Sequence, residues 1–472
     1  MNKSGKRLNL AFKIMLHVTF VLFALLSTAG PILLGNSSMV NQFLGIVTEA
    51  GSGTGVEGDM YYNTKFKNMK EVREASLDII EETMKEGAVL VKNDVVDGET
   101  GKKALPLAKD STVNMYGAAS YWSVHTGQGS SGVKSDRGAL DDRVTFYDGL
   151  TNAGLKVNSA LNDWYKENGG SSSVLGQNGS SFIGAQGQET QFVTKDIAWG
   201  DLPETKNQKA DAAVVVFARN SGEAIDMYMD TTMDDGETRV IVSRDHNGDP
   251  NNSVGDALEL TENEKSILSN LTQLKERGEI GEIIVIMNTA SALQCQFLED
   301  EAYDIDACLW VGTIGTTGAT AIGKLLTGEY NFSGKTTDTF WEESKYNPVY
   351  YNFGSMEYGN SGILKNYFAT RSEHNNKFYV AYQESIYNGY KYTETRYEDY
   401  VLGQGNPGAF DYSEVVTYPF GYGLSYSEFV YSNMKTEYDE AGDTYTITVD
   451  VTNKSDVDGI HLDDYFYPGT DF

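Results

Sequence analysis

A chain of 472 residues with 40% apolar content has room for two or three domains and for sizeable cores, which excludes a disordered protein. Its 37 basic against 67 acidic residues leave a net charge of −30, a balance that repels phosphate backbones and argues against nucleic acid as a partner. The two cysteines, Cys295 and Cys308, lie in apolar context and read as buried inert thiols, so they define no redox compartment.

In chain order, a basic segment (1–13, with Lys3, Lys6, Arg7 and Lys13) precedes an almost unbroken apolar run at 14–34, the length a membrane span needs. Ser27, Thr28 and Ala29 also fit a small-residue cleavage site, so the run reads as a single-pass membrane anchor or, alternatively, as a signal peptide of a secreted protein. Either places the body of the chain outside the cytoplasm. Residues 35–68 are rich in Gly, Ser, Asn and Thr and read as a tether. A helix is expected next, with Val72, Ala75, Ile79 and Ile80 on one face, leading into EGAVLVKND at 86–94.

The first strand is expected at 112–116. The glycine-rich HTGQGSSGVK (125–134) follows it, then helices around 144–153 and 160–167 with the short LKVN (155–158) between them. The stretch DAAVVVFARNSGEAID (211–226) organises the rest: an apolar run at 212–218, suited to a buried strand, breaks at Asn220, Ser221 and Gly222 into Glu223. A buried strand that delivers a carboxylate from its carboxyl end is a way to place an acid or base at a cleft. After an acidic segment, Thr261 and Glu264 form a capping box, and Ile267, Leu268, Leu271 and Leu274 mark the buried face of the helix it starts. Strands are expected at 282–289 and 305–312. Strands alternating with helices predict an α/β fold, a mostly parallel sheet sandwiched by helices over 69–345. An irregular Tyr-rich linker is expected at 346–427, and the alternation in TYTITVDVTN predicts part of a C-terminal β-sandwich at 428–472.

The motifs EGAVLVKND, LPL (105–107), HTGQGSSGVK, SGEAID (221–226), IDACLWVG, GTTGATAIGKLLTGEYNFSGK (315–335) and PFGYGLSYSEF (419–429) together resemble glycoside hydrolase family 3. The resemblance runs from about residue 70 to the end. It covers that family's α/β sandwich domain, its linker and the start of its fibronectin-type-III-like domain. It implies a retaining site shared between domains, with an aspartate nucleophile from a (β/α)8 barrel and a general acid/base glutamate from the sandwich domain. The family's S-G-E-G-x-D motif maps onto 221–226, which makes Glu223 the acid/base; Ala224 departs from the family's glycine. By the same resemblance Ser130 and Ser131 lie near the sugar. Arg219 and Asp226 either orient Glu223 or a substrate hydroxyl, or form a structural ion pair.

Other chemistries fit less well. GQGSSGVKS approaches a phosphate-binding loop, but Val133 stands where a lysine must follow the second glycine. Asp245, Asn247 and Asp249 approach a calcium loop, but Pro250 occupies the position of its glycine. His17, His125, His246, His374 and His461 show no metal-ligand spacing, and no G-x-S-x-G is present. No metal and no cofactor are expected. The tyrosines of YQESIYNGYKYTETRYED (382–399) are assigned to packing at a domain joint.

Retention needs two carboxylates about 5 Å apart, and no stretch here reads as the eight βα repeats of a barrel. The expectation is therefore a β-glucosidase-like hydrolase acting on terminal β-linked sugars of oligosaccharides or β-glucosides, with its nucleophile on a barrel absent from this chain, such as that of a separate barrel-bearing chain. The alternative is a non-catalytic carbohydrate-binding or scaffold remnant.

Overall fold

The computed structural model describes residues 12–13, 15–23, 65–126, 143–169, 197–219, 258–350, 381–406 and 408–455, with the backbone of 229–232, 238–242, 356–357 and 378–379. Two units, 1–79 and 80–472, are distinguished. In the first, the exposed helix at 15–23 covers less than half of the roughly 20 residues a span requires. Among the described residues no helix is long and apolar enough to cross a membrane, so the spanning helix expected at 14–34 is not found; 24–34 lie outside the described residues.

Helix α1 (Met69–Gly87) starts where Asn68 Oδ1 accepts the Glu71 N–H at 3.0 Å. Its buried side chain is Met84, while Ile79 is 65% exposed, against expectation. The inward stripe steps through 77, 80 and 84 at helical spacing, and position 79 falls outside it.

Six strands form the central sheet: β1 (Val89–Asn93), β2 (Thr112–Tyr116), β3 (Lys156–Val157), β4 (Ala210–Arg219), β5 (Ile280–Thr289) and β6 (Ala307–Trp310). Their order is β3-β2-β4-β5-β6-β1, parallel throughout except that β1 runs antiparallel to β6. The α/β expectation holds, and VLVKN, read in sequence only as a lead-in, supplies the antiparallel edge strand.

The central strands are apolar on both sides because helices cover both faces. Ala212, Val214, Val216 and Ala218 of β4 join Ile284 and Ile286 of β5 against α2 (Phe146–Asn152) and α5 (Ala319–Leu326). Ala213, Val215 and Phe217 join Ile283, Val285 and Met287 against α3 (Ser159–Asn168) and α4 (Glu262–Glu276). The capping box of Thr261 and Glu264 is formed, and Ile267, Leu268, Leu271 and Leu274 are buried, each stabilising by roughly 1.5–3 kcal/mol relative to exposure. Helices α2 and α5 approach through glycines: a Cβ on Gly149 would strike the Ala319 carbonyl, and one on Gly323 the Gly149 carbonyl. Cys295 and Cys308 are buried and unbonded to each other, as expected.

The segment expected to be irregular contains a helix, α6 (Tyr390–Val401), and its end returns to the α/β body. Strand β7 (Phe340–Trp341) pairs with β8 (Val416–Tyr418), Thr336 exchanges backbone hydrogen bonds with Gly421 and Tyr422, and Asn331 receives the Tyr426 N–H at 2.9 Å. Aromatic packing accounts for part of the Tyr-rich stretch: Tyr392 lies against Phe410, and the Tyr412 hydroxyl donates to Glu394 at 2.6 Å. Tyr382, Tyr387, Tyr397 and Tyr400 remain exposed.

The expected alternation at the C-terminal end appears as a hairpin of β9 (Phe429–Asp439) and β10 (Thr444–Asn453). Register places Tyr438 beside Tyr445, Thr436 beside Ile447 and Tyr431 beside Val451 on one face, with Glu437, Lys435 and Asp450 on the other. Tyr431, Tyr438, Tyr445 and Ile447 are exposed on the apolar face.

Candidate active site

The sheet topology singles out one place. Strand β3 lies outside β2, and β4 lies on its inner side, so the winding direction reverses between β2 and β4. The helix following β2 packs on one face and the helix following β4 on the other. Such a reversal opens a crevice outside the carboxyl ends of the two strands, where open α/β sheets place their ligands. The segment leaving β2 at Gly117 carries the glycine-rich motif, and the segment leaving β4 at Asn220 carries Glu223. Both motifs thus depart from the two strands that flank the crevice.

The described base of this edge is held by buried polar groups. Gly117 turns the chain at φ 87°, where a Cβ would also strike the Val216 carbonyl. Its N–H donates to the Tyr165 hydroxyl at 3.0 Å. Asn288, fully buried near the end of β5, accepts the Val124 N–H at 2.6 Å through Oδ1. Its Nδ2 donates to the Val124 carbonyl at 3.0 Å and to the Gly312 carbonyl at 2.7 Å. One carboxamide therefore ties the loop after β2 to the loop after β6.

Beside it, His125 Nδ1 lies 2.6 Å from the Gly315 carbonyl, a separation that calls for the proton on Nδ1, and the Gly315 N–H donates to the His125 carbonyl at 2.8 Å. Burial pulls the imidazole down to about 4; the Gly315 carbonyl opposes this and the Arg143 charge adds to it. His125 is therefore neutral near pH 7, a positioning group for the chain that enters the glycine-rich loop. At the end of β6 the Trp310 indole N–H donates to the Thr289 carbonyl at 2.6 Å.

Arg219, the last residue of β4, is 1% exposed. Its Nη1 donates to Glu264 Oε1 and its Nη2 to Glu264 Oε2, both at 2.8 Å. Nη2 also donates to the Glu259 carbonyl at 2.5 Å, and Nη1 to the Ala218 carbonyl at 2.9 Å. Arg219 forms a buried ion pair with Glu264, a partner not expected from sequence. Glu223, Asp226, Ser130 and Ser131 lie outside the described residues, as do Asp245, Asn247 and Asp249. Asn288 and His125 were not assigned from sequence. A polar residue closing the apolar run IIVIM, and a histidine just ahead of the glycine-rich loop, were the available signals. Among the described residues no group of His, Cys, Asp or Glu is arranged to hold a metal ion.

Residues 88–426 match the sequence profile of the glycosyl hydrolase family 3 C-terminal domain. The chain is similar to β-glucosidase A of Butyrivibrio fibrisolvens, 26% identical over 81% of this chain and 40% of that protein. It is likewise similar to a β-glucosidase of Ruminococcus albus, 24% identical over 78% of this chain and 30% of that protein. Among solved structures, β-glucosidase 3B from Thermotoga neapolitana in complex with α-D-glucose shares the fold, with a TM-score of 0.53 at 22% identity, over 80% of this chain and 42% of that one. The chain spans less than half the length of these relatives.

Proposed function

Because the chain belongs to glycosyl hydrolase family 3 through that family's C-terminal domain, we propose that it forms the acid/base half of a β-glucosidase-type glycoside hydrolase. The observation that carries this reading is the departure of the Glu223 segment and the glycine-rich segment from the two strands flanking the topological switch point. The names of its relatives support a β-glucoside as substrate.

In the proposed retaining mechanism Glu223 stays protonated until it donates to the leaving oxygen, then takes a proton from the water that releases the sugar. Partial enclosure that raises its pKa suits both steps. The second carboxylate, the nucleophile, comes from a barrel outside this sequence. The domain limits are proposed as an α/β domain at 69–345, a linker at 346–427 that folds back on it, and a β-sandwich portion from 428. Attachment to a membrane through 14–34, with an extracytoplasmic body, is proposed from the basic flank and apolar run alone; partition of the full chain between membrane and soluble fractions tests it.

Hydrolysis of aryl β-glucosides tests the activity. Glu223→Ala is expected to abolish turnover of poor leaving groups and to be rescued by azide, with the purified chain alone or mixed with a barrel-bearing chain. Absence of turnover in both formats would sink the enzyme reading and leave the carbohydrate-binding remnant, which glucoside binding by calorimetry checks.

A further inference from the structure

The segment that carries Glu223 leaves the described fold at Arg219 and re-enters it at Leu258. One buried side chain spans the two ends. The guanidinium of Arg219 bonds the Ala218 carbonyl on the outgoing strand, the Glu259 carbonyl on the returning chain and both carboxylate oxygens of Glu264 in the first turn of α4. Glu264 Oε2 accepts the Thr261 N–H at 2.9 Å as well, so the same carboxylate caps α4 and receives the arginine. On the far side, the β4 backbone at Arg219 is in register with Thr289 of β5, and the Leu258 carbonyl accepts the Gln294 N–H at 3.0 Å.

We infer that Arg219 and Glu264 are positioning residues, a staple that ties the two chain ends flanking residues 220–257 and so fixes the point from which the segment carrying Glu223, four residues beyond Arg219, departs. This rests on the acid/base reading of Glu223 given above. The physical argument has three parts. Bringing the ends of a long excursion together carries a loop-closure cost, and a tie at the base offsets it locally. A fork of five donors in fixed geometry meets a carboxylate and two carbonyls at once, which a lysine cannot reproduce. The pair is withdrawn from water, with side-chain exposures of 0% and 9%, so its geometry is not shared with solvent.

Removing one partner alone leaves a buried unpaired charge and risks unfolding. The informative variant is therefore Arg219→Met with Glu264→Gln: no charge is left behind, the glutamine still serves the capping box, and the fork is gone. Arg219→Lys is the second variant, which keeps the charge without the fork. Two measurements on the full chain are needed, neither requiring turnover. Hydrogen exchange is expected to rise at least tenfold for the amides of 259–262 in the double variant, with the interior of α4 unchanged. The pH profile of carbodiimide labelling at Glu223, read by peptide mass spectrometry against the exposed Glu440, is expected to differ from that of Glu440 in the wild type and to move toward it in both variants.

Unchanged exchange overturns the staple. Faster exchange with an unchanged Glu223 profile overturns the positioning role and leaves a purely structural ion pair. A wild-type Glu223 profile that already coincides with that of Glu440 overturns the acid/base reading itself, and the inference with it.

Discussion

Asn288 offers the sharpest test of how the candidate site is held. Replacing the fully buried Asn288 with alanine removes three hydrogen bonds and takes this partner from the Val124 N–H and the Gly312 carbonyl, while the Val124 carbonyl keeps the Ile314 N–H at 3.2 Å. Three bonds at a net ~1 kcal/mol each, with part of the ~1–3 kcal/mol penalty for each stranded group, give a loss of about 3–5 kcal/mol. Urea unfolding followed by tryptophan fluorescence reads this as a fall in the midpoint of roughly 1 M or more at unchanged slope. Asn288→Asp sharpens the test. The carboxylate still accepts the Val124 N–H but turns an acceptor toward two carbonyls, so at pH 7 it is expected to be at least as damaging as alanine. Its folded-state pKa is then raised, so the native state binds the proton more tightly, and the variant regains stability as pH falls. An alanine variant within about 0.5 kcal/mol of wild type, or an aspartate variant indistinguishable from wild type at pH 7, refutes the role given to the carboxamide.

Three further outcomes are expected. His125, held at about 4 against an ordinary 6.5, makes the unfolded chain the better proton binder between those values, so its contribution is fully present above pH 6.5 and is lost as pH falls through 4. The shift corresponds to about 3 kcal/mol at most and, with the ring partly exposed, to roughly 1–2 kcal/mol in practice; thermal midpoints at pH 4.5 and 7 should lie closer together in His125→Gln than in wild type. Gly323→Ala forces apart the α2–α5 crossing, where the Gly149 carbonyl occupies the space, and should cost about 1–3 kcal/mol in chemical denaturation; no loss would mean that the helices separate freely. Ile447→Lys, at a position 61% exposed on the apolar face of the C-terminal hairpin, should change stability by no more than about 0.5 kcal/mol, and a larger loss would show that the face is covered in solution.

The layered core was legible because period and composition agree there. Runs such as AAVVVFA and IIVIM are apolar at successive positions, as strands covered on both faces must be, and the Thr261 and Glu264 pair announced α4 to the residue. Where neighbours decide, local pattern was less informative. VLVKN has the composition of a strand, but its antiparallel place beside β6 depends on a partner more than 200 positions away. Helix α6 hides in a Tyr-rich stretch of weak periodicity and is held by contacts with Phe410 and Tyr412. Ile79 looked inward only because its neighbours at 72, 75 and 80 are apolar too.

The site separates in the same way. Motif order identified the two loops, and the strand order, which no local pattern encodes, then placed their departures side by side. Arg219 shows what motif reading leaves open: a cation four residues before a proposed acid reads equally well as a substrate contact or as an ion pair. Its described acidic partner is Glu264, whose sequence context announces the helix cap and not this second contact. A carboxylate that caps a helix has one oxygen and several lone pairs to spare, and a buried arginine needs such an acceptor. The pairing of a strand-terminal Arg with the N3 Glu of the next helix therefore follows from satisfying both groups at once, and it turns the capping box from a local helix signal into an anchor for the segment that carries Glu223.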